Sequence, residues 1–335
     1  MSISIAVIGE CMLELTHADI DSASTKLPMA MNFGGDTINT SIYLSRSNVD
    51  VSYVTGLGDD IMSDWLLKEW AKEGIDCSLV TRLPNSVPGM YMINVDDHGE
   101  RSFMYWRKHS PASRIFDDAA SAEKLFSSLE RFDFLYLSGI SLAILESEAR
   151  ERLFGLLEAY REQGGKLIFD DNYRPNLWPD AELAKQAYVR MYKMTDIALP
   201  TLDDEILLFG YDSAEQVMQS IRDYGVAEIV VKMGGEGCLA MHDGVVKHIF
   251  TELVNPVDTT AAGDSFNAGY LAAKFNGEVG LDACNAGHSL AAKVIQHRGA
   301  IIPKSDEHRP LIEHVFYQPE HRRPRSQLHS NQFLE

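Results

Sequence analysis

An α/β fold with a mainly parallel sheet, covered by helices on both faces, is predicted by three features of this 335-residue chain. Short β-branched apolar runs recur along it, helical patterns separate them, and several runs end in glycine or polar turns. Strand–helix alternation of this kind packs as a parallel sheet between helical layers. Ligands of such sheets bind beyond the carboxyl ends of the strands. The length is high for one compact domain but within reach of α/β folds, and a 45% hydrophobic content is ample for a core.

In chain order, "ISIAVIG" reads as a buried strand. "NFGGDTINT" follows at 32–40, with two glycines before a polar run that enters a helix expected over 40–46. Glycines permit close backbone approach, and Asp36 and Asn39 can both bind hydroxyls. By itself the segment also fits a turn with a capped helix. "VSYVTGLG" is the next strand, followed by a helix over 63–73. "GMYMINVDDHGERSFMYWR" then breaks the alternation with two apolar runs around "DDHGE", a hairpin signal. Its strands are aromatic and methionine-rich on both faces, and a lone hairpin is not stable in water. It must therefore cover something or pair with another chain. Joined to the early segment, it is expected to form a small β lid, over about 10–33 and 88–108.

The alternation resumes with "FDFLYLSG", a helix over 147–163, "KLIFDDN", a helix over 181–193, "DIALP", a helix over 214–224 and "AEIVVKMGG". "FDDNYRPNLW" closes a strand with acids, an amide, a tyrosine and an arginine, which favours a site over a plain loop. "VVKMGGEGCLA" is a strand running into a glycine-rich loop. It has neither Walker A spacing nor GxGxxG, and a hairpin turn explains it equally well. There is no internal repeat and no Pro/Ser-rich linker. One domain over 1–304 and a polar, irregular tail over 305–335 are expected.

A net charge of −19 argues against nucleic acid and anionic membrane as partners, and requires a local Arg or Lys cluster for any anionic substrate. The four cysteines have no CxxC spacing, so neither zinc nor a disulfide framework is indicated. The N-terminus lacks the pattern of a signal peptide, and no apolar run is long enough to cross a bilayer. A cytoplasmic location is the expectation.

"VDTTAAGDSFNAGY" (257–270) carries the chemistry. A small-residue turn that becomes a helix offers free backbone N–H groups and a partial positive charge to a phosphate. An acid inside it, Asp264, repels anions, yet suits a base that orients an attacking hydroxyl. Helix capping by Asp264 is the plain alternative.

An early Gly-Gly motif with a downstream Asn, a hairpin lid and a late "DTTAAGD" together resemble the ribokinase-like (PfkB) carbohydrate kinases, over roughly 5–303. Within that family, "FGGDTINTSIYLSR", "VPGMYMINVDDHGERSFMYWR", "NYRPNLW" and "VIQHRGAIIP" resemble members that phosphorylate a 2-keto-3-deoxy sugar acid. The resemblance implies a three-layer α/β/α fold with a small β lid and ATP-dependent phosphorylation of the acid's C6 hydroxyl. Asp264 is then the catalytic base, Ala261, Ala262 and Gly263 form the anion hole, and Asp258 helps order the site. Gly34, Gly35, Asp36 and Asn39 clamp sugar hydroxyls. Tyr91, Tyr105, Trp106, Arg107 and Arg174 contact the sugar acid, the two arginines pairing with its carboxylate. ATP falls to Asn172, Thr201, Lys232, Gly234, Gly235, Gly237 and the anion hole. Asp204 stands where the family places an outer-sphere ligand of the Mg²⁺ that accompanies ATP, with Thr201 in place of the usual Asn. A monovalent cation and a homo-oligomer formed through the lid are also implied. Ala261 replaces the commoner glycine and is expected to have a negative φ. A neutral-sugar kinase, which the arginines argue against, and a non-catalytic sugar- or nucleotide-binding protein, which Asp264 argues against, are the competing readings.

Overall fold

The computed structural model describes residues 3–17, 27–95, 101–278 and 280–304. The first half contains β1 (Ser4–Ile8), β2 (Met12–His17), β3 (Met29–Gly34), α1 (Asp36–Arg46), β4 (Asp50–Val54), β5 (Gly56–Gly58), α2 (Ile61–Lys72), β6 (Thr81–Leu83), β7 (Met90–Val95), β8 (Arg101–Trp106) and α3 (Ala119–Leu129). The second half continues with β9 (Phe134–Ser138), α4 (Gly139–Ala143), α5 (Ser147–Glu162), β10 (Lys166–Asp170), α6 (Ala181–Tyr192), β11 (Ile197–Ala198), α7 (Leu202–Phe209) and α8 (Ala214–Asp223). It closes with β12 (Glu228–Lys232), β13 (Cys238–His242), β14 (Val245–Ile249), α9 (Ala262–Phe275) and α10 (Leu281–Val294).

The main sheet has the order β14-β13-β12-β11-β10-β9-β1-β4, parallel from β12 to β4 and antiparallel at β12–β13 and β13–β14. Its central strands are buried on both faces, which is why they read as continuous apolar runs. Leu153, Phe154, Tyr188 and Val217 from α5, α6 and α8 pack on one face. Ile38, Ile42, Trp70, Leu271 and Leu290 from α1, α2, α9 and α10 pack on the other. The result is the three-layer α/β/α arrangement.

Helix starts follow local chemistry. Asp60 caps α2 by accepting from Met62 N and Ser63 N, and Asp180 caps α6 by accepting from Leu183 N. The first helix begins at Asp36, four residues before the expected start at Thr40, because Gly35 turns the chain directly out of β3. A Cβ on Gly35, at φ +152°, would lie 2.4 Å from the Glu10 carbonyl oxygen, so no side chain fits there. The helices α3, α4, α7 and α10 were not anticipated, nor was the two-stranded β5–β6 sheet.

A separate four-stranded sheet, ordered β3-β2-β7-β8, unites the early segment with the hairpin. Register pairs Glu14 with Asn32 on one side and with Tyr91 on the other, and Tyr91 with Tyr105. These residues share one face of the sheet. The hairpin tip at 96–100, part of the early segment at 18–26 and the tail at 305–335 lie outside the described residues.

Candidate active site

The predicted residues gather where β1, β10 and β12 end and where α1 and α9 begin. Asp264 lies in the first turn of α9. Its carboxylate accepts from Asn39 Nδ2 at 2.8 Å, so it faces α1 and does not cap its own helix. Burial, then the negative charges of Asp36 and Asp170, raise its pKa to about 7, against the pull of Asn39 and Lys232. Asn39 Oδ1 is buried and has no hydrogen-bond partner among the described residues. A ligand hydroxyl placed there satisfies it and stands beside Asp264.

The residue that begins α9 is Ala261, at φ 60° and ψ 20°. The expected negative φ is therefore wrong. The turn demands the left-handed conformation whichever residue fills it, and Ala adopts it at roughly 1–2 kcal/mol. Backbone N–H and side-chain Oγ of Ser265 both donate to the Ala261 carbonyl, at 2.9 and 2.6 Å, and hold it there. Asp258 stiffens the entry to the turn by accepting from the Thr260 backbone and hydroxyl and from Gly299 N.

One side of this turn faces a cleft of about 380 Å³. Thr201, Lys232, Gly234, Gly235 and Gly237, all expected at ATP, line it together with Ala262 and Gly263. Its apolar wall, Leu253, Phe266, Ala291 and Ile295, suits a planar base. Lys232 is buried, with Nζ 2.8 Å from Asp170 Oδ1 and 3.2 Å from Asn267 Oδ1. Burial alone depresses an ammonium, but the carboxylates of Asp170 and Asp171 hold its pKa above the ordinary value. A Cβ on Gly263 would come within 3.7 Å of this ammonium, so the charge lies close beneath the turn.

Asp36 is buried, and its pKa is raised by desolvation; Asn172 Nδ2 donates to it at 2.8 Å. Asn172, expected at ATP, donates its side-chain amide to Asp36 from a backbone at φ 31°. Tyr91 donates to Glu14 at 2.5 Å and lies over Gly34, whose added Cβ would meet the tyrosine oxygen at 2.8 Å. Tyr105 and Trp106 are exposed on the lid. Arg107 pairs with the buried Glu10, which Ser110 also contacts, while Arg107 Nε has no partner among the described residues. Arg174 reaches Asp204 at 3.3 Å and is half exposed. Asp204 therefore faces a guanidinium, and no three His, Cys, Asp or Glu side chains among the described residues are grouped to chelate an ion directly.

Several members of the site escaped the sequence reading. Asp170 and Asp171 lie inside a stretch already singled out, but their roles, pairing with Lys232 and accepting from Thr201 N, are visible only in three dimensions. Glu10, Glu205 and His288 carry no local motif. Glu205 is buried, and desolvation raises its carboxyl to about 7. His288 reaches the cleft beside Lys232 from α10, and its buried Nε2 has no hydrogen-bond partner among the described residues.

A buried carboxyl group paired with an amide thus stands at a helix start, with a partly apolar cleft on the other side of the turn. The chain belongs to the pfkB family of carbohydrate kinases, whose model matches residues 2–307. It is 46% identical over 308 residues to the 2-dehydro-3-deoxygluconokinase of Dickeya dadantii, covering 90% of this chain and 97% of the relative. The Escherichia coli 2-dehydro-3-deoxygluconokinase is also 46% identical, over 91% of this chain and 98% of its own. Among solved structures, a PfkB protein from Polaromonas superposes with a TM-score of 0.77 at 26% identity, covering 88% of this chain and 96% of that one. The 2-dehydro-3-deoxygluconokinase of Thermotoga maritima superposes at 0.78 over 90% and 96% of the two chains; at 19% identity it bears on the fold alone.

Proposed function

We propose that this kinase transfers the γ-phosphoryl group of ATP to the C6 hydroxyl of 2-keto-3-deoxy-D-gluconate, giving the 6-phosphate. The observation that carries the reaction type is the Asp264–Asn39 pair. A carboxyl group of pKa about 7 stands beside an unsatisfied amide oxygen, on the far side of a turn from the nucleotide cleft. Asn39 and Asp36 hold the acceptor hydroxyls. Asp264 takes the proton of the attacking one and fixes its direction, the main task of a base in a loose phosphoryl transfer. The N–H groups at the start of α9, with Lys232 beneath them, meet the phosphate charge.

The choice of acceptor rests on the 2-dehydro-3-deoxygluconokinase relatives and on two arginines with donors to spare. Arg107 offers Nε and Arg174 a half-exposed guanidinium to a carboxylate. A ribokinase II homologue from Escherichia coli was solved with ATP and Mg²⁺. Here Asp171, Asp204 and Glu205 crowd beside Thr201, where burial and their mutual repulsion raise their pKa values, and Glu205 Oε2 is buried without a partner among the described residues; a cation held through water would favour their ionised forms. When bound with ATP, Mg²⁺ neutralises phosphate charge.

Phe103, Met104, Tyr105 and Trp106 are consecutive and all exposed, so both faces of the lid strand present apolar surface. A second copy of the chain covers one of these faces in the functional assembly. The partners are thus ATP, a sugar acid and a second subunit, and the net charge disfavours nucleic acid and membrane. Among the described residues no helix is long and apolar enough to cross a membrane, and the cytoplasm is the location we infer.

An ADP-coupled assay over 2-keto-3-deoxygluconate, fructose, ribose and gluconate tests the reading. Highest kcat/KM on the keto-deoxy acid is expected; preference for fructose selects the neutral-sugar kinase, and no turnover selects a binding protein. Exchange of K⁺ for choline in the same assay tests the monovalent cation.

A further inference from the structure

The second large opening takes no part in the mechanism above. It is a groove of about 660 Å³, with Glu14, Thr16 and Asn32 from the lid on one wall and Asp258, Thr260 and Arg298 on the other. Its lid wall continues the face that bears Tyr91 and Gly34, so the groove opens from the acceptor side of the site. Its floor is tied to the phosphate turn. Gly299 N donates to Asp258 Oδ2 at 2.8 Å, and Asp258 Oδ1 accepts from the Thr260 hydroxyl at 2.7 Å. Arg298 is the next residue on this strap and is exposed.

Charge decides what the groove can hold. The other cations of the site are matched: Lys232 with Asp170, Arg107 with Glu10, Arg174 with Asp204. Arg298 forms no ion pair with a described residue. The acids on its walls already serve as acceptors, Glu14 for Tyr91 and Asp258 for Thr260 and Gly299. An acceptor that gains a phosphate gains roughly 1.5–2 negative charges at neutral pH. Arg298 lines the groove that lies between the lid and the strap holding Asp258.

We propose that Arg298 binds the phosphoryl group from the acceptor side of the turn, making the groove a subsite for the phosphorylated product. The inference rests on the kinase reading but not on which sugar is the acceptor. A guanidinium–phosphate contact is a charge-assisted pair whose loss weakens binding by roughly ten- to hundredfold. In full-length protein, Arg298→Gln is expected to raise the inhibition constant of 2-keto-3-deoxy-6-phosphogluconate by that factor. The acceptor KM should rise far less, and Arg298→Lys should recover part of the loss. Unchanged product inhibition overturns the proposal. So does an equal rise in both constants, which assigns Arg298 to the carboxylate shared by acceptor and product. If no sugar, acid or neutral, is phosphorylated, the kinase reading has failed separately. Calorimetric titration of the unreacted protein with the same phosphosugar then decides: weaker binding to the Gln variant supports the subsite, and equal binding removes it.

Discussion

A carboxyl group poised near neutrality makes Asp264 the residue with the clearest consequences. As a base it works deprotonated, so kcat/KM is expected to rise with pH through about 7 and then level off. A flat profile between pH 5.5 and 8.5 would remove it from proton transfer. Asp264→Asn should lower kcat by roughly 10²–10⁴ while ATP affinity holds. Its effect on stability has the opposite sign. The folded carboxyl group has a pKa of about 7, above the ordinary 3.8, so the folded chain holds this proton more tightly than the unfolded chain. That contribution is whole below pH 3.8 and is lost as pH rises to about 7. The Asn variant should therefore melt a few degrees higher at pH 8, about 2–4 °C, with the gain shrinking toward pH 4. Ala261 permits a purely conformational test. Its left-handed φ means that Ala261→Gly removes roughly 1–2 kcal/mol of strain, against about 0.5–1 kcal/mol of added chain freedom. Calorimetry should show an unchanged or slightly raised Tm for Gly and a clear fall for Val, whose β-branch suits that region least.

Between residues and the molecule stands the lid, a sheet whose base is pinned by the Glu10–Arg107 ion pair. Glu10 is buried where β1 ends, and Arg107 meets it at the end of β8. Arg107→Ala strands that carboxylate, so it should lower Tm as well as the preference for acid over neutral sugar. Arg174→Ala leaves a better solvated Asp204 behind and should lower the preference alone. Each should raise KM for the acid by one to two orders of magnitude, with little change for ATP. Equal losses on the keto-deoxy acid and fructose would show that the arginines support the lid and do not read the carboxylate. Thermal melts recorded beside the kinetics separate the two variants.

For the whole molecule, the exposed aromatic strand of the lid predicts an assembly. Sedimentation at micromolar concentration should give a dimer, and Trp106→Glu should shift it toward monomer with reduced activity. A fully active monomeric wild type would refute the lid contact. Hydrogen exchange should show the lid gaining protection when acceptor binds. Uniform strong protection without ligand would refute that motion.

Local pattern determined much of this protein. The buried parallel strands announced themselves as β-branched runs, and the turn before α9, the Gly-Gly approach to α1 and the lid hairpin each lie within one short stretch whose chemistry is self-explanatory. Asp264, Asp36 and Asn39 were legible for that reason. Tertiary structure decided the rest, because a partner distant in sequence leaves no local trace. It set Glu10 against Arg107, Asp170 beneath Lys232 and Asn172 on Asp36. It brought His288 to the cleft beside Lys232 and Arg298 to the lid groove. It also overruled the negative φ expected for Ala261, since the path of the chain into α9 sets that angle and the residue conforms. Backbone patterning is a short-range property of the sequence; which charges meet, and which remain unmatched for a ligand, follows from the packing of the sheet, its helices and the lid.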